Sequence, residues 1–195
     1  MPYGIRQSAA PAEEPITLAE ARAHLRITST AEDSLISRLI KVARGRAEAA
    51  TRRQLVTATW VMTRDDFPSG DQPLKLYRPP VASVTKVEYY DESNALVTWG
   101  ATKYQTDLVA EPARILPVSG ESWPTTYDRM NAVQVTYVAG YGAAAAVPDE
   151  IKQAILVLLA ELFERREESV VGTIVSPAAM TFENLLEPYS IKRFL

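Results

Sequence analysis

The chain has 195 residues, 47% apolar, 23% charged and 8% aromatic, with no cysteine, one histidine, and 24 acidic against 21 basic side chains. A domain of this length buries roughly 70% of the surface its unfolded chain exposes, so it needs no staple; the lack of Cys excludes zinc ribbons, iron–sulfur clusters, thiol nucleophiles and disulfides, and His24 alone excludes a multi-histidine metal site, leaving only carboxylate sites open. A net charge of −3 argues against a basic DNA-wrapping surface, no apolar run approaches the roughly 20 residues of a membrane span, and the start MPYGIRQSAAPAEEP lacks the apolar stretch of a secretion signal, so a soluble, cytoplasmically made protein is expected.

Residues 1–16, with three prolines and little periodicity, read as a loose N-terminal arm. Thr17 and Glu20 form a capping box for a short helix to about Arg26, with Leu18, Ala21 and Leu25 on one face. After Ile27–Thr30, residues 31–53 form a long amphipathic helix. Its expected apolar stripe is Leu35, Leu39, Val42, Ala43, Ala47 and Ala50, with Arg38, Lys41, Arg44, Arg52 and Arg53 on a basic outer side.

At Gln54 the texture turns β-branched and aromatic. Strands are expected at Leu55–Thr63, Leu74–Tyr77, Val84–Tyr90, Leu96–Trp99, Lys103–Thr106, Arg114–Leu116 and Ala132–Val138, separated by turn chemistry such as Arg78-Pro79-Pro80 and Asp91-Glu92-Ser93-Asn94. Pro148-Asp149-Glu150 then opens another helix, with acids where the helix dipole favours them and a stripe of Ile151, Ile155, Leu158, Leu159, Leu162 and Phe163. Residues 169–195 lack periodicity but end in the apolar cluster Leu185-Leu186-Glu187-Pro188-Tyr189, and read as an extended arm. The predicted class is α+β: a helical body from 17–53 and 148–168, interrupted by an antiparallel β-insertion over 54–147, with arms at 1–16 and 169–195. Residues 1–53 carry 9 basic and 6 acidic side chains, 54–147 carry 7 and 10, and 148–195 carry 5 and 8. A solvated helix face explains that asymmetry without a ligand.

No reactive constellation emerges. Gly140-Tyr141-Gly142 lacks the further Gly or Lys-Ser/Thr of a phosphate loop and reads as a tight turn. His24 lies between Arg22 and Arg26 with no serine elbow or evident carboxylate partner. The acid pairs Glu13-Glu14, Asp65-Asp66, Asp91-Glu92, Asp149-Glu150 and Glu167-Glu168 sit in turns or at helix ends, where solvated caps account for them. Trp60, Trp99 and Trp123 lack interleaved arginines and read as packing rather than base stacking.

Taken in order, Arg78-Pro79-Pro80-Val81 through Tyr90-Asp91, Trp123-Pro124, Val135-Thr136-Tyr137-Val138-Ala139-Gly140-Tyr141-Gly142, Val147-Pro148, Phe163-Glu164-Arg165-Arg166-Glu167 and Leu185-Leu186-Glu187-Pro188-Tyr189 resemble the head–tail connector (adaptor) proteins of tailed phages, in the branch with a β-insertion that also occurs in gene transfer agents. Ser190 departs from the pattern, in which an arginine often follows the tyrosine. The resemblance implies a non-enzymatic protein without cofactors, made in the bacterial host cytoplasm and resident in the particle neck. It implies a ring, typically of twelve copies, beneath the portal protein, through which double-stranded DNA passes without specific binding and to which a stopper or tail-completion protein attaches. On that reading Leu185, Leu186, Pro188, Tyr189 and Phe194 anchor the portal, Val170, Val171, Thr173, Ile174 and Val175 add a strand to a partner sheet, and Glu161, Glu164, Glu167 and Glu168 face the channel, where acidic walls would not grip phosphates. The alternatives are another neck protein (a stopper or tail-completion factor) and a carboxylate-dependent hydrolase using Asp65 and Asp66.

Overall fold

The β-branched stretches pair into two antiparallel sheets and the amphipathic ones form helices in a computed structural model that describes residues 3–165 and 177–191. In chain order the elements are β1 (Tyr3–Ala9), α1 (Leu18–Leu25), α2 (Asp33–Thr51), β2 (Ala58–Arg64), β3 (Leu74–Leu76), β4 (Val81–Tyr90), β5 (Leu96–Trp99), β6 (Tyr104–Asp107), β7 (Ala113–Pro117), β8 (Val133–Ala139), α3 (Asp149–Glu164) and α4 (Pro177–Leu186), with 3₁₀ turns at 101–103, 144–146 and 187–189. They fall into two compact units, one drawn from Met1–Ala12 and Thr57–Tyr141, the other from Glu13–Val56 and Gly142–Leu195. The fold is α+β, as expected.

In the β-unit the strand orders are β1-β2-β8-β4-β5 and β3-β7-β6. Central strand β8 buries Val133, Val135, Tyr137 and Ala139 at every second position, the alternation a pleated strand imposes. These side chains share one core with Met62 and Val87 of the same sheet and with Leu74, Leu76, Ala113 and Ile115 of the other. Tyr137 is wholly buried and donates its hydroxyl to the Tyr77 carbonyl at 2.8 Å; burial pushes its phenol well above the usual tyrosine range. Phe67, Trp99 and Trp123 pack ring on ring, with centroids 4.9 to 5.8 Å apart, so both tryptophans serve packing.

Residues 3–9 are a correction to the expected loose arm. They form edge strand β1, paired with β2 from Tyr3↔Arg64 to Gln7↔Trp60, while Tyr3 stacks on Tyr77 at 4.2 Å. Both faces of β1 are mostly exposed, Ile5 alone being half-buried, so no hydrophobic alternation marks it.

In the helical unit the capping box on α1 forms as read: the Glu20 amide donates to Thr17 Oγ1 at 3.1 Å and the Thr17 amide to Glu20 Oε2 at 2.6 Å. Helices α2 and α3 pack on each other, as the stripes required, and α1 packs on both. The buried face of α2 is Ile36, Ile40, Ala43, Ala47 and Thr51. This rotates the expected stripe, since Leu35 and Leu39 are half-buried, Ala50 is exposed and Val42 is 45% exposed. Two isoleucines and two small residues let α2 approach its neighbours closely, and that contact fixes the helix phase.

A second difference lies at the C-terminus. Part of the expected extended arm, residues 177–186, is helix α4, packed on α3 and α2 with Phe182 and Leu186 buried. Pro177 suits a first helical position, and Phe182 and Leu186, four apart, fall on one face. The chain re-enters the helical unit at Gly142, whose φ of +130° disfavours any side chain and which bridges to Val56, in keeping with a tight turn.

Candidate functional site

The C-terminal segment closes over the end of α2. A helix leaves its last carbonyls without internal partners, and here Ser190 Oγ donates to the Ala50 carbonyl at 3.1 Å and the Ile191 amide to the Thr51 carbonyl at 3.2 Å. Arg53 Nε donates to the Tyr189 carbonyl at 2.7 Å, and the Tyr189 hydroxyl donates to Glu150 Oε2 at 2.8 Å. The Glu150 carboxyl lies below its usual range because its own backbone amide, at the start of α3, and then Tyr189 donate to the charged form.

Below this clasp Arg44 donates to Glu14 at 2.7 Å and Glu48 at 3.0 Å, while Gln54 Nε2 donates to Glu48 Oε1 at 2.8 Å and the Val56 carbonyl at 2.9 Å. Burial alone would lower the Arg44 pKa; the carboxylates of Glu48 and Glu14 outweigh it and raise the value. This network joins the stretch that enters the unit at Glu13 to the one that leaves it at Val56.

Of the residues expected to meet a portal, Pro188 is exposed, Leu185 and Tyr189 are half-buried, and Leu186 is 2% exposed within its own unit. Phe194 and the stretch holding Val170, Val171, Thr173, Ile174 and Val175 lie outside the described residues, as do Glu167 and Glu168. Glu161 is half-buried and pairs with Arg165 at 3.2 Å, and Glu164 is exposed at the end of α3. The parts of the clasp that sequence reasoning missed are Phe182, Arg53, Glu150 and the hydroxyl of Ser190. The Phe182–Leu186 spacing after Pro177 was the available signal; the other three contacts join residues far apart in the chain.

The hydrolase candidates hold loops. Asp65 Oδ1 accepts from the Asn131 amide at 2.9 Å, and Asp66 Oδ1 accepts from the Phe67 amide at 2.7 Å and Thr126 Oγ1 at 2.9 Å. His24 is exposed on α1. Among the described residues no three His, Asp or Glu side chains are placed to hold a metal ion, and no helix is long and apolar enough to cross a membrane.

Residues 15–90 match the family model of the phage gp6-like head-tail connector protein. No curated protein matches the chain. Among solved structures the fold is similar to a chain in the neck of an empty GTA particle computed with C6 symmetry (TM-score 0.79), one in the virion of a native gene transfer agent particle (0.80), and one in the neck of a native GTA particle computed with C12 symmetry (0.74). Each is 22% identical, over 98% of this chain and 97% of the other. The fold is therefore one found in particle necks. The family match covers 76 of the chain's 195 residues and includes the Arg78–Tyr90 part of the motifs quoted above.

Proposed function

We propose that this protein is the head–tail connector, or adaptor, of a tailed phage or gene transfer agent particle: a structural, non-enzymatic ring beneath the portal protein that extends the DNA channel and receives the stopper or tail-completion protein. One observation carries the reading, the fold similarity that runs through both units, over 98% of the chain, to chains in particle necks; the connector family model, over α1, α2 and the first strands of the insertion, supports it. Within this proposal Leu185, Pro188 and the outer edge of Tyr189 face the portal, while Leu186 holds the segment to its own unit. Glu161 and Glu164 belong to the acidic side of the body, which repels the phosphates of passing DNA.

Burial of Phe182 and Leu186 decides which variants test this. Deleting residues 176–195 would empty part of the core, so surface variants are the cleaner choice. Leu185→Ala combined with Pro188→Ala is expected to leave thermal unfolding within about 1 kcal/mol of wild type and to reduce recovery of the chain on portal-containing capsids. Unchanged recovery, measured on gradient-purified capsids, would remove the portal from the proposal.

A further inference from the structure

Helix α2 carries an outward face whose composition nothing in its own unit explains. Val42, Gly45 and Ala49 run down its centre, bordered by Arg38, Lys41 and Arg46, and all six are exposed. Val42 is 45% exposed, and a Cβ built on Gly45 meets nothing within 4 Å. Glycine in the middle of an exposed helix destabilises it relative to alanine, so its presence where no atom of this chain crowds it points to a neighbour's close approach. Among the described residues Arg38, Lys41 and Arg46 have no ion-pair partner. The result is a flat apolar strip with a basic rim.

The opposite chemistry stands on the β-unit. Met130 is 80% exposed and Tyr127 41% exposed, beside a shallow depression of about 510 Å³ that Asp65, Asp66 and Asp128 also line. None of those three aspartates is ion-paired among the described residues. The one cation there, Arg129, is engaged locally, its guanidinium 3.8 Å from the Tyr90 ring centroid and 3.0 Å from Asn94 Oδ1. An apolar knob with an acidic rim thus matches an apolar strip with a basic rim, the pattern of a protein interface with a desolvated centre and a complementary border. A phosphate backbone would answer the rim alone.

We infer that the exposed face of α2 docks the Met130–Tyr127 surface of a second copy of this chain. Because the two halves are different surfaces of one polypeptide, the contact can repeat head-to-tail from copy to copy, the interface type that forms a ring when its rotation closes. The inference rests on the ring proposed above and names its subunit contact.

The chain lacks cysteine, so introduced thiols report cleanly. Particles are prepared with the full chain carrying Gly45→Cys, Met130→Cys, or both, and treated with a short bismaleimide. The double variant is expected to give a ladder of multimers on a denaturing gel and each single variant only monomers. Dimers from Gly45→Cys alone would mean that α2 faces meet each other, and rings visible by electron microscopy without a ladder would place the subunit contact elsewhere; either overturns the inference while the ring reading stands. Particles without a ring of this chain overturn both. Charge reversal carries the test where the thiol variants do not enter particles. Arg38→Glu with Arg46→Glu is expected to lower ring incorporation at least tenfold, and adding Asp128→Lys to recover much of it. Normal rings in the reversed variant, with loss only of retained DNA, would assign the face to nucleic acid and end the inference.

Discussion

Tyr137 shows at the scale of one residue how burial becomes a pH dependence. Its phenol lies in the core of the β-unit, donates to the Tyr77 carbonyl at 2.8 Å, and titrates above the ordinary value because burial penalises the phenolate. A raised folded-state pKa contributes stability that is complete below the unfolded value, about 10, and is lost as pH rises beyond it toward the folded value. Wild type is therefore expected to lose stability steeply above about pH 10, and Tyr137→Phe to flatten that limb while costing about 1 kcal/mol at neutral pH for the lost hydrogen bond. Chemical denaturation from pH 7 upward checks both; an unchanged alkaline limb in the variant would remove Tyr137 as its source. The carboxylates of the α1 capping box and of the clasp behave in the opposite sense. Glu20 and Glu150 sit below their ordinary values, Glu20 through its bonds to Thr17 and Glu150 through its own backbone amide and then Tyr189. Their contributions are present above about pH 4.5 and decline as pH falls through the lowered values. Tyr189→Phe is expected to weaken the acid dependence of amide exchange in α4.

Helix phase is an element-scale property, and α2 is where composition and packing part. The apolar residues of 31–53 fit more than one stripe, and the stripe containing Val42 and Ala50 was as periodic as the one that is buried. Contact with α3 and α1 selects Ile36, Ile40, Ala43 and Ala47. Ile40→Ala is accordingly expected to cost about 2–5 kcal/mol, against a few tenths for Val42→Ala; equal losses in urea titrations would contradict the observed phase. Leu186→Ala belongs with Ile40, at about 2–5 kcal/mol, because the residue, at the end of α4, is buried in the helical unit. The helix starts and most strands were legible because their signals are local: the Thr17–Glu20 box, Pro148 before two acids, and the alternation of 133–139. Strand β1 was not, since an edge strand exposed on both faces carries no period, and α4 was not, since Phe182 and Leu186, the buried pair among its described side chains, resemble part of a loop until α2 and α3 cover them. The C-terminal cluster was legible as apolar, but its hydrogen bonds to Ala50, Thr51, Arg53 and Glu150 span more than 35 positions each and left no local mark.

For the whole molecule the main consequence is that two compact units share one chain that crosses between them after Ala12, Val56 and Tyr141. The helical unit offers an apolar strip with a basic rim and a clasped C-terminal segment, and the β-unit an apolar knob with an acidic rim, so one chain presents several distinct surfaces. That economy suits a part with a like subunit on either side and different proteins above and below. The order of motifs along the chain resembles that of connector proteins, whereas the surfaces themselves depend on which residues packing leaves outside. The most direct measurement of the central claim is an electron cryo-microscopy reconstruction of purified particles, with this chain labelled by a small C-terminal tag. The account predicts a symmetric ring of the labelled chain between the portal and the tail; label confined to the capsid shell or the tail tube, or its absence from the particle, would contradict it.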